Sequence, residues 1–164
     1  RSRGLGDVYK RQRAMRADKG FDTVECYRHV EHIVAKRQDV LLLECMSNLL
    51  ANEMYLEQDS DDGGLAETMS EVEKAGVGMS ETLSPVSKKI VQALVNLSTR
   101  VQELVIVTND VFSDGGSLTY DESTREYVKN LAEINCALAR EAATVTEVVC
   151  GIPVIVKENH PMGK

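Results

Sequence analysis

No stretch of the 164-residue chain comes near the ~20 consecutive apolar residues that a membrane span needs. Charge near the first residue has no apolar run behind it, so that segment does not read as a secretory signal. Basic charge is in deficit. Lys and Arg number 19 against 26 Asp and Glu, a net charge of −7, and a general nucleic-acid binder needs the opposite balance. A local basic cluster can still serve a nucleotide. Cysteine is sparse: Cys26, Cys45, Cys136 and Cys150 form no C-x-x-C pair, and three of them fall in apolar periodic stretches. Buried cytosolic thiols are expected rather than disulfides or a zinc site. With three histidines placed as they are, no Ser-His-Asp arrangement can be drawn, and no internal repeat is present.

What is there is ordinary for a globular protein. Apolar residues make up 43% of the chain and charged residues 27%, and the length suits one domain with a sizeable core. DVLLLEC at 39–45 is a short apolar run ending in Glu44, and ELVIVTND at 103–110 ends in Thr108, Asn109 and Asp110. Runs this short and this apolar predict central strands of a parallel sheet, covered on both faces. VTEVVCGIPVIVK at 145–157 predicts a terminal hairpin turning at Cys150-Gly151, with Pro153 early in an edge strand.

Helices are predicted between these runs. Asp22 with Glu25 has the spacing of a capping box ahead of Val24, Tyr27, Val30 and Val34. Ser84-Pro85 supplies a cap and a first-turn proline, followed by Val86, Ile90, Leu94, Leu97 and Val101 at helical spacing. Ser123 with Glu126 predicts a further box before Tyr127, Leu131, Ile134 and Leu138. The alternation of helix and strand gives an α/β class with a largely parallel sheet. Residues 57–82 interrupt it with an acidic, glycine-containing insertion, and a short helix is expected around Leu65–Lys74.

Open parallel sheets bind ligands beyond the carboxyl ends of their strands. Glu44 and the Thr108-Asn109-Asp110 run are the polar groups brought there. An acid ending an apolar strand holds magnesium in P-loop nucleotide enzymes, directly or through water; it also simply marks where a chain meets solvent. VFSDGG at 111–116 either shapes a pocket or is a plain strand-to-helix turn. Asn135, beside an apolar stripe, reads as a hydrogen-bonded core amide before a ligand contact. Arg11, Arg13 and Arg16 could fork phosphate oxygens or form a solvated loop. Glu25, His29 and His32 would share a helix face, as surface histidines more readily than as a zinc site. GLGDVYK at 4–10 is no phosphate loop: it lacks the third glycine of the dinucleotide fingerprint and the G-x-x-x-x-G-K-[ST] of Walker A.

Several segments together resemble one family. R-x-M-R-A-D-K-G-F-x-T-x-E-C at 13–26, LLLEC-x-x-x-L at 41–49, VIVTNDVFSDG at 105–115, the run from Tyr127 to Ala139 with its Ile134-Asn135, and VVCGIPVIVK at 148–157 occur in the order seen there. The family is the bifunctional adenosylcobinamide kinase / adenosylcobinamide-phosphate guanylyltransferase of cobalamin biosynthesis. The resemblance implies a cytoplasmic, RecA-like P-loop NTPase fold, assembled as a homotrimer, with Mg2+ and ATP or GTP as partners of adenosylcobinamide and its phosphate. It implies phosphorylation of the aminopropanol hydroxyl, then loading of GMP onto a histidine and its transfer to adenosylcobinamide phosphate. Matched position by position, Arg13, Ala14, Met15 and Arg16 fall on the guanine-nucleotide contact stretch. Glu25 and Glu44 fall on further nucleotide-site positions, and Asn109 and Asp110 on an active-site loop; the magnesium role of Glu44 rests on its place at the strand end. The nucleophilic histidine's position holds Gln12, and the family's first strand and Walker A loop have no counterpart in these residues. RSRGLGDVYKRQ at 1–12 resembles a translated sequencing adapter. The expected organisation is therefore a foreign segment at 1–12, a partial domain at 13–157 that is inactive as it stands, and a tail at 158–164. Two readings stay open beside this one: a non-enzymatic α/β binding or assembly domain, and a P-loop kinase for another acceptor.

Overall fold

The computed structural model describes residues 19–56, 83–111 and 120–159. Gln12, the Arg13–Arg16 stretch, the acidic insertion at 57–82 with its expected helix, and most of the VFSDGG loop lie outside the described residues.

Strand β1 (Val40–Glu44) leads directly into helix α1 (Met46–Tyr55); helix α2 (Pro85–Ser98) then leads to strand β2 (Glu103–Val107). Helix α3 (Glu122–Glu141) and strands β3 (Thr144–Val149) and β4 (Ile152–Glu158) complete the order. β1 and β2 pair in parallel, with Val40 opposite Glu103 and Glu44 opposite Val107. β3 and β4 form a separate antiparallel sheet. The class is thus α/β with a parallel pair and a C-terminal hairpin, as the alternation predicts.

Side chains alternate across a strand, and here the two faces differ in cover. Leu43, Leu104 and Ile106 pack on the core, whereas Val40 (56%), Leu42 (46%), Val105 (41%) and Val107 (43%) stay exposed. The prediction of strands covered on both faces therefore fails among the described residues. The helices described here cover a single face of the pair.

The core is the seam between α1, α2 and α3. Met46 and Leu50 from α1, Ile90 and Leu94 from α2, and Leu131 and Ile134 from α3 are each 2% exposed or less. α2 begins as predicted: the Ser84 hydroxyl accepts from the Ser87 N–H at 3.2 Å and Pro85 occupies the first turn. Its apolar stripe is also as predicted, except that Val101 is buried beyond the helix end. The buried polar pair is satisfied: Ser87 donates to the Asn130 carbonyl at 3.3 Å, and the Asn130 amide donates to Met54 Sδ at 3.5 Å.

Two helix predictions require correction. Residues 22–34 form no α-helix; the segment contains only a short 3-10 turn at Val30–His32. Among the described residues its stripe is largely uncovered: Val24 is 69% and Val34 98% exposed, and of the four stripe positions Val30 alone enters the core. A stripe without cover does not repay the order a helix imposes. α3 is capped by Asp121, not Ser123. The Asp121 carboxylate accepts from the Thr124 N–H at 2.7 Å, and this bond holds its carboxyl below the usual range. A charged acceptor at the positive end of a helix outcompetes a hydroxyl two residues on. Ser123 instead pairs with the Tyr55 hydroxyl at 3.0 Å.

The hairpin is as predicted. Cys150 (φ 51°) and Gly151 (φ 82°) take left-handed conformations, which match the twist of a two-residue turn. Its base is tied to α3: Lys157 Nζ donates to the carbonyls of Ala139 at 3.1 Å and Arg140 at 2.7 Å, and Asn159 N–H donates to the Ala143 carbonyl at 2.9 Å. A lysine here satisfies carbonyls that the helix end leaves without partners. The four cysteines are thiols, but none is fully buried; Cys136 and Cys150 are exposed. Cys136 lies on the solvent side of α3 and Cys150 at the hairpin turn, so apolar neighbours in sequence did not translate into burial.

Candidate functional site at the strand edge

The parallel register brings the ends of β1 and β2 to one edge. Glu44 stands opposite Val107, so Thr108, Asn109 and Asp110 begin where β1 turns into α1. The edge therefore unites Glu44 with Asn109 and Asp110, all exposed, as the sequence predicts. Cys45 occupies the cap position of α1 without a side-chain cap bond. The first amides of such a helix carry partial positive charge and favour an anion.

A chain of hydrogen bonds joins the two strand ends. Cys45 Sγ and Ser47 Oγ lie 2.9 Å apart, and Ser47 Oγ donates to Asn109 Oδ1 at 3.2 Å. Thr108 Oγ1 donates to Asn135 Oδ1 at 2.7 Å, and Asn135 Nδ2 donates to the Asn109 carbonyl at 3.5 Å. The Tyr127 hydroxyl donates to the Ser47 carbonyl at 3.1 Å. Burial pushes the Tyr127 hydroxyl above its usual pKa, so it stays a neutral donor. Asn135 is thus not the core amide that the sequence reading favoured. That role belongs to Asn130, 1% exposed, five residues earlier on the same helix. The apolar stripe placed Asn135 near the core but could not say that its amide reaches a loop.

Glu25 occupies a different position. It accepts a hydrogen bond from Tyr27 at 3.4 Å and caps no helix. The segment that follows is anchored at the far end of α1, where Arg28 donates to the Leu56 carbonyl at 3.3 Å and the His29 N–H to Glu53 Oε1 at 2.8 Å. Glu53, with its side chain 4% exposed, also takes Lys89 Nζ at 2.7 Å. Burial pushes its carboxyl up, but the hydrogen bonds from Lys89 and the His29 amide outweigh that and hold it below the usual range. Sequence reasoning missed Glu53, Ser47 and Tyr127. Each acts through a partner at least 24 positions away, for which no local spacing gives a signal.

His29 and His32 stack with ring centroids 5.6 Å apart rather than lining a helix face. Among the described residues, no three His, Cys, Asp or Glu side chains form a metal-holding group. Magnesium at a nucleotide needs fewer protein ligands, because one or two carboxylates suffice when phosphates and water complete the shell. Glu44 is the carboxylate that ends β1 at this edge. No described helix is long and apolar enough to cross a membrane. The edge can therefore offer carboxylate, amide and hydroxyl groups and a helix N-terminus to a phosphorylated ligand.

Comparison with known families matches residues 8–156 to the family described as cobinamide kinase / cobinamide phosphate guanyltransferase. No curated protein matches the chain.

Proposed function

Because the chain belongs to the cobinamide kinase / cobinamide phosphate guanyltransferase family, we propose that it is built for the two reactions of cobalamin biosynthesis that the name describes. In this reading a nucleoside triphosphate phosphorylates the aminopropanol hydroxyl of adenosylcobinamide. GMP from GTP is then carried by the enzyme to the phosphate so formed. The observation that supports it most is the family match running through β1 and β2, whose shared edge sets Glu44 beside Thr108, Asn109 and Asp110.

Each group has a role to play. Glu44 holds Mg2+ or its bound waters; the metal when bound neutralises charge on the phosphates. The amides opening α1 and the Asn109 side chain donate to phosphate oxygens. Arg13 and Arg16 fork the phosphates of the guanine nucleotide, with Ala14 and Met15 lining the same stretch, and Glu25 belongs to the same nucleotide. In this reading the enzyme works as a cytoplasmic P-loop NTPase trimer.

Position 12 limits the second reaction. An amide nitrogen cannot attack phosphorus as imidazole does, so Gln12 forms no phosphoramidate. These 164 residues hold no G-x-x-x-x-G-K-[ST] of the kind that cradles β- and γ-phosphates. The test joins the strand and Walker A segment of a family enzyme to the chain, in Gln12 and Gln12→His versions, and supplies GTP labelled at the α-phosphate. The histidine version should retain an acid-labile, base-stable GMP label, and the glutamine version none. Both should phosphorylate adenosylcobinamide, because that step needs no histidine. Equal labelling would refute the assignment of position 12, and failure of both versions to act on adenosylcobinamide would refute the function.

A further inference from the structure

Asn135 lies on α3, far in sequence from either strand end, yet both ends of its amide are spent on the loop after β2. Its Oδ1 takes the Thr108 hydroxyl at 2.7 Å, and its Nδ2 gives to the Asn109 carbonyl at 3.5 Å. Next to it, Ile134 is fully buried, and Leu131 one turn earlier is too, so the helix presenting Asn135 is fixed by the core. Eight residues before Asn135, or about 12 Å along the axis, Tyr127 holds the Ser47 carbonyl at 3.1 Å. One helix thus braces the start of α1 and the end of β2 from the same side.

The bracing has a chemical result at Asn109. The Ser47 hydroxyl donates to its Oδ1 at 3.2 Å, and an amide whose oxygen is so engaged turns its NH2 group to the other side. That group can only donate, and phosphate oxygens can only accept. We infer that Asn135 is a positioning residue: it fixes the Thr108–Asn109 backbone so that the Asn109 NH2 group stands ready for a nucleotide phosphate. The inference rests on the reading of this edge as a nucleotide site.

The test uses the full chain and Mg2+·GTP, with binding followed by amide NMR shifts. Asn135→Leu and Thr108→Val both remove the Thr108–Asn135 bond, and Asn135→Leu also removes the bond to the Asn109 carbonyl, at 3.5 Å the longer of the two. Each should weaken binding about three- to tenfold, the worth of one ordinary hydrogen bond. The double variant should lose no more than the weaker-binding single variant, because one shared interaction can be lost only once. Thr108→Ser, which keeps the hydroxyl, should recover most of what Thr108→Val loses. A bond that merely supported the fold would show in the thermal midpoint and not in this pattern of affinity and rescue. Wild-type affinity in both single variants, or losses that multiply in the double, would overturn the inference while leaving the nucleotide site standing. No saturable shift in the wild-type chain would instead defeat the nucleotide reading and the inference with it. Should Asn135→Leu fail to fold, the Ser–Val comparison at exposed Thr108 decides: equal affinities overturn the inference, and recovery by serine supports it.

Discussion

Replacing Lys89 with methionine leaves a nearly buried carboxylate without its strongest cation. Glu53 is 4% exposed at its side chain, and Lys89 Nζ sits 2.7 Å from Oε2 with 40% of its own side chain open to water. Breaking a fully buried pair costs about 3–5 kcal/mol, and an exposed pair is worth at most about 1. Lys89 is open and Glu53 is not, so a loss of about 2 kcal/mol at neutral pH lies between those limits. The His29 N–H at 2.8 Å remains and keeps the loss from being larger. The pH dependence carries the reasoning. Glu53 has its pKa lowered in the folded protein, so its contribution is present above the ordinary carboxylate pKa and fades as pH falls through the lowered value. In Lys89→Met, burial of the carboxylate regains weight and that lowering shrinks or reverses. The difference between the two proteins should then be largest near neutrality and close up in acid, where Glu53 is protonated in both. Urea unfolding followed by circular dichroism, at pH 7 and at several steps down through and below the ordinary carboxylate range, measures it. A difference below about 0.5 kcal/mol at pH 7, the scatter of ordinary surface changes, would refute the claim that Lys89 matters. A difference that stays constant with pH would refute the claim that it acts through the Glu53 charge.

The two faces of the parallel pair should answer differently to the same chemistry: Leu104→Thr, on the core side, should lower the urea midpoint strongly, and Val105→Thr, on the open side, hardly at all, with equal effects counting against the one-sided packing. Gly151→Val places a β-branched residue at φ 82° in the hairpin turn and should cost of order 1–3 kcal/mol from backbone strain alone; an unchanged midpoint would mean that the turn takes another form.

The strands were legible because their signals are local. Apolar runs of four residues closing on Glu44 and Thr108, and a Cys-Gly pair between two further apolar runs, fix strand, edge and turn without knowledge of the rest. α2 was legible for the same reason, through Ser84-Pro85 and a stripe that has helices to meet. The segment at 22–34 carries a comparable stripe and fails, because burial depends on partners that no spacing announces. Asp121 displaced Ser123 as a cap in a contest between two adequate candidates, which charge decided. At the candidate site, Glu44 and Asn109 were readable as strand termini. Ser47, Tyr127 and the true work of Asn135 were not, because their bonds cross from one element to another.

The ties between α3 and the base of the hairpin have a mechanical side. Lys157 grips the Ala139 and Arg140 carbonyls, and Asn159 the Ala143 carbonyl, while the turn at Cys150 lies at the opposite end of β3 and β4. Six strand residues span about 20 Å, so a tilt of about 10° at the base sweeps the turn through roughly 4 Å. The ribbon is a lever with its fulcrum on the last turn of a helix. Cys150 is exposed at the tip of that lever, so a spectroscopic label on its thiol would magnify rotations of the ribbon about α3 too small to register at the fulcrum.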